Sequence, residues 1–106
     1  MPANLSMKSG ISVLEQLGLP DAPELILKAN LYMRLNDVIS EMKLTQVQAA
    51  KQTGLAQPKI SAIRNYRLTD ISVERLMMAL VALNQKVEIV ITPAKRKGQA
   101  AITVSG

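Results

Sequence analysis

The chain contains no cysteine and no histidine. The first absence rules out a disulfide framework and leaves the redox compartment unconstrained. The two together remove the common zinc sites and the Cys–His and Ser–His nucleophile pairs. Aromatic residues are nearly as scarce: Trp and Phe are missing, and only Tyr32 and Tyr66 remain. Two rings are too few for a base-stacking RNA surface. No run of about 18 apolar residues occurs, so no membrane span is expected. The first residues lack a charged segment followed by an apolar one, so no secretory signal is expected and the cytoplasm is the default. Asp37 and Glu41 stand four residues apart on one helix with no partner for acid/base chemistry. Neither an active site, a metal site nor a cofactor is expected.

What is present is a basic chain of 106 residues with a net charge of +5 and a pI near 9.8. The length suits one domain with a modest core. Charge is unevenly spread. Residues 1–42 carry three basic and five acidic side chains, and residues 43–106 carry ten basic and three acidic. A positive field over the second part suits a phosphate backbone, though an ordinary solvated basic surface has the same composition.

Residues 1–20 read as an arm, partly flexible, with an apolar cluster at Ile11, Val13, Leu14, Leu17 and Leu19. Asp21-Ala-Pro23-Glu24 reads as a helix start. Leu27, Leu31, Leu35, Val38 and Met42 then recur at three- and four-residue steps, which predicts one amphipathic helix of roughly 20 residues. Thr45 and Gln48 form a capping-box pair for a second helix, with Val47, Ala50 and Ala49 as its inward side. Gly54 ends it as a C′ glycine does. Pro58 suits the first turn of a third helix, held by Ile60 and Ile63 and ending near Tyr66. Ser72 caps a fourth, whose apolar face is Val73, Leu76, Met77, Leu80 and Leu83, with Ile71 stapled onto Leu76. Met33, Met42, Met77 and Met78 are read as core filler.

Val87-Glu-Ile-Val-Ile-Thr92 has the β-branched profile of a strand, stopped by Pro93. A lone strand cannot satisfy its own backbone groups. It pairs either with Ile102-Thr-Val104 or with its copy in a second chain. The second is preferred, because dimeric DNA readers need a symmetric interface. Val87, Ile89, Val90 and Ile91 would then form the dimer contact. Residues 21–92 make up the expected domain, and residues 93–106 a basic tail containing Lys95-Arg96-Lys97.

Residues 45–65 form two short helices about a tight turn, the pattern of a helix-turn-helix, which sets one helix in the DNA major groove. The competing account is an αα-hairpin of another small helical protein. On the DNA reading, the outward residues of the third helix read bases. Gln57 can pair bidentately with adenine, and Lys59 can reach guanine acceptors or a phosphate. Ser61, Ala62 and Asn65 are short enough to let the helix sit deep, and Ala62 can touch a thymine methyl. Gln46 starts the preceding helix, where its side chain and the first N–H groups face a phosphate. Arg64 and Arg67 would grip the backbone at the far end.

These residues resemble the Xre (lambda-repressor-like) helix-turn-helix family. More narrowly, the chain is similar to its HigA-like antitoxin branch, through Leu17-Gly-Leu-Pro-Asp-Ala22, Leu44-Thr-Gln46, Gln57-Pro-Lys-Ile-Ser61 and Val87-Glu-Ile-Val-Ile91. The resemblance spans about residues 12–92 and leaves the basic tail outside. It implies a mainly α bundle of about five helices, in which the C-terminal strand takes the place of the fifth, and homodimerisation. It implies binding to a pseudo-palindromic double-stranded operator, repression of the chain's own operon, tight binding to a RelE-like ribonuclease toxin, and a place at the nucleoid. The acidic, apolar N-terminal part is the expected toxin contact. The alternatives are a stand-alone or phage-type Xre repressor without a toxin, and an adaptor whose helical hairpin binds only protein.

Overall fold

A computed structural model describes residues 22–98 and 101–105. Among them stand four helices and no strand: α1 (Ala22–Glu41), α2 (Gln46–Thr53), α3 (Gln57–Arg64) and α4 (Val73–Ala82). The N-terminal arm, the cluster at residues 11–19 and the cap at Asp21 lie outside the described residues. Of the bundle of about five helices that was expected, four stand among the described residues.

The 20-residue α1 is the spine. Its Leu31, Leu35, Val38 and Ile39 are buried at helical spacing, and Ile26 and Tyr32 widen the stripe. That face lies along α4 and also meets α3, while α2 packs on α3 and α4. Leu35, Ile39, Ile60, Ile63, Leu76 and Leu83 are the largest fully buried side chains, so α1, α3 and α4 together build the centre. Met42 and Met78 are exposed rather than core filler.

The inward side of α2 differs from the expected one. Val47 is 60% exposed, whereas Ala49 is completely buried and Ala50 half-buried. An eight-residue helix with few apolar positions leaves its rotational phase open. Close packing against two neighbouring helices then selects the methyl group of Ala49 over the larger valine.

Local chemistry accounts for the helix starts. Thr45 Oγ1 accepts the N–H of Gln48 at 3.1 Å, and Gln48 Oε1 accepts that of Thr45 at 2.9 Å. Ser72 Oγ accepts the N–H of Arg75 at 3.1 Å. Each helix ends on a residue with positive φ. Gly54 (φ 77°) closes α2, but Lys43 (φ 55°), Tyr66 (φ 54°) and Asn84 (φ 65°) do so after α1, α3 and α4. In those three cases the next N–H reaches back five residues, from Leu44 to Ile39, Arg67 to Ala62 and Gln85 to Leu80. That bond is the mark of a Schellman motif.

Residues 87–92 form no β-ladder, and Ile102–Val104 does not pair with them. Val87 and Val104 rest against the core instead. Ile89, Val90 and Ile91 stand out into solvent, Ile91 at 90% exposure.

Candidate nucleic-acid interface

The turn between α2 and α3 is built from three consecutive residues. Thr53 Oγ1 donates to Ala49 O at 2.7 Å and accepts the N–H of Leu55 at 3.2 Å. Gly54 takes the left-handed conformation, and its N–H reaches Ala50 O at 2.9 Å. Leu55 is buried and plugs the corner. Ala56 then opens α3 without a side-chain cap, and Pro58 occupies the first turn. The start of α3 is therefore bare of competing side chains.

α3 divides sharply into two faces. Ile60, Ala62 and Ile63 are buried. Gln57 and Asn65 are exposed, and Lys59, Ser61 and Arg64 are half-buried. Ala62 was expected outward with the base readers, and the structure corrects this: it is 8% exposed and lies on the buried side of α3 with Ile60 and Ile63. The buried arc is thus wider than Ile60 and Ile63 alone define, and a thymine methyl has no access to Ala62.

The remaining polar residues are partly occupied. Asn65 Nδ2 donates to Ser61 O at 2.8 Å and finishes its own helix. Arg67 Nη2 donates to Ser61 Oγ at 3.1 Å, which brings a cation onto the outward face beside Ser61. Arg64 turns toward α1: its Nη1 donates to Asn36 O at 3.2 Å, Asn36 Oδ1 at 3.1 Å and Ser40 Oγ at 3.4 Å. That nitrogen is a strut; only Nε and Nη2 are left over for a phosphate. Gln46 is half-buried at the first position of α2.

Two further residues shape this surface and escaped the sequence reading. Asn36 is buried and donates through Nδ2 to Ile63 O at 3.0 Å, tying α1 to α3. A signal for it existed: an amide within the apolar stripe of α1. The second is Asp70, whose Oδ1 lies 3.0 Å from Lys59 Nζ. The Lys59 hydrogen bond, and then its charge, hold the Asp70 carboxyl below its ordinary pKa. Its signal was also local: between Glu41 and Glu74 the chain has no other acidic residue.

A short helix anchored by its apolar side, entered through a left-handed turn and presenting amide, hydroxyl and cationic groups outward, defines a helix-turn-helix module of the DNA-binding class. The model of the helix-turn-helix domain family matches residues 13–92. A solved structure assigned to the Xre family of transcriptional regulators is 49% identical, with a TM-score of 0.76, over 82% of this chain and 99% of that one. The chain belongs to the Xre family of helix-turn-helix proteins. No curated protein matches it.

Proposed function

We propose that the chain is a sequence-specific DNA-binding transcriptional regulator that represses its own operon as a homodimer. The observation that carries this reading is the two-sided α3: three side chains buried against the bundle and a polar, basic face left outside. Gln57 and Lys59 read base edges near the helix start, and Ser61 and Asn65 let the helix approach closely. Gln46, Arg67 and the unspent donors of Arg64 hold phosphates. Replacing Gln57 and Lys59 together by Ala should lower affinity for the chain's own upstream DNA by roughly tenfold or more, on the basis of about 1–3 kcal/mol per bidentate contact. Affinity for random DNA should change much less. Equal losses on both, by gel shift, would sink the assignment of α3 as the reading helix.

The dimer reading rests on Ile89, Val90 and Ile91, an exposed β-branched run with no partner within the chain among the described residues. Pairing with its copy would bury that run and satisfy its backbone. We further propose the role of antitoxin to a RelE-like ribonuclease, supported by the flanking segments 17–22 and 87–91. The test is co-expression with the adjacent reading frame. A basic ribonuclease that copurifies in a stable complex supports it, and an adjacent frame that neither binds nor is toxic leaves a regulator without a toxin.

A further inference from the structure

We propose that Asp70 is a specificity-determining residue, whose carboxylate occupies the Lys59 ammonium in the unbound chain and penalises DNA that offers Lys59 nothing but a phosphate. The proposal rests on the reading of α3 as the recognition helix. Three observations carry it. The contact is direct, 3.0 Å between Nζ and Oδ1. The backbone that carries it is set in place by the fold: Thr69 Oγ1 accepts the N–H of Ile71 at 3.0 Å, and Ile71 is sunk in the core. Asp70 is also the sole acidic residue from Met42 to Val73, among Lys43, Lys51, Lys59, Arg64 and Arg67.

The physical consequence follows from what Lys59 exchanges on binding. On unrelated DNA it trades one exposed ion pair for another, a near-even swap. The released carboxylate is then left facing a polyanion. On a matched site one donor of the ammonium keeps the carboxylate while the other two reach the N7 and O6 acceptors of guanine, so the pair is not given up. Asp70 therefore weakens indiscriminate binding more than matched binding. Discrimination is a difference of affinities, and a repulsive element against the wrong partner widens it.

The test uses the full chain, with a duplex of about 30 base pairs enriched from a random pool by the wild-type protein and a scrambled duplex of equal composition. Fluorescence anisotropy is read over a series of salt concentrations for wild type, D70N, K59Q and the double variant. Asp70 is 87% exposed at its side chain, so D70N keeps the fold, which circular dichroism verifies. D70N should tighten the scrambled duplex more than the enriched one, so that their ratio falls about twofold to fivefold at low salt. In the K59Q background the change should vanish. An equal gain on both duplexes, a loss on either, or an undiminished effect without Lys59 overturns the proposal. A pool from which the wild-type chain enriches nothing overturns the recognition-helix reading itself, and this proposal with it.

Discussion

At the scale of single residues, the outward face of α3 is held by contacts made behind it. Asn36 joins α1 to the C-terminal end of α3 through its own amide and by accepting Arg64. A buried side chain serving as both donor and acceptor is costly to remove, because its partners lose bonds that water cannot replace. Asn36→Ala should lower the unfolding free energy by about 1–3 kcal/mol, measured by urea denaturation. Ile63 O keeps one bond, from the N–H of Tyr66, which argues for the lower part of that range. Arg64 also keeps the Asn36 carbonyl. Neither Asn36 nor Asp70 was legible as a partner beforehand. Each contact spans many residues, 27 for Asn36–Ile63 and 11 for Lys59–Asp70, and no local pattern encodes such a pairing.

At the scale of elements, what sequence made legible was the chemistry of the helix starts. Thr45 with Gln48, Ser72 and Pro58 each act within three or four residues, and each stands where its type belongs. Of the left-handed residues that close the helices, only Gly54 was legible as one. Lys43 and Tyr66 take left-handed backbone that their side chains disfavour, and tertiary packing overrides that preference. The rotation of α2 was misjudged at Val47, because eight residues carry too little period to settle it. Two substitutions with opposite signs test the common mechanism of these ends. Gly54→Ala should destabilise by about 1 kcal/mol through backbone conformation alone, since no atom lies within 4 Å of the added Cβ. Lys43→Gly should stabilise by roughly 0.5 kcal/mol, the relief of about 1–2 kcal/mol exceeding the extra entropy of the unfolded chain. Thermal melts of both variants check the signs.

At the scale of the whole molecule, the bundle keeps its core to itself and leaves its apolar run near the C-terminus uncovered. Val87 and Val104 reach the core, but Ile89, Val90 and Ile91 do not. No helix among the described residues is long and apolar enough to cross a membrane, so a bilayer-spanning helix does not account for them. A ribbon formed with a second copy would relate the two α3 helices by a two-fold axis. Light scattering should give a dimer at micromolar concentration for the wild-type chain. Val90→Asp should give a monomer that retains its helical circular dichroism, because the residue lies outside the core. A wild-type monomer in that experiment would remove the ribbon. A dimer should protect two half-sites about 34 Å apart in footprinting.

The division of α3 into a buried and an outward face has a consequence for how such a protein changes over generations. Ile60, Ala62 and Ile63 hold the helix in place, while Gln57 is exposed and Lys59 adds only one exposed ion pair to that hold. On the proposed reading of α3, exchanges at the outward positions are nearly neutral for folding and alter target choice. The preferred operator can drift from one lineage to the next, one side chain at a time, while the scaffold that presents it stays the same.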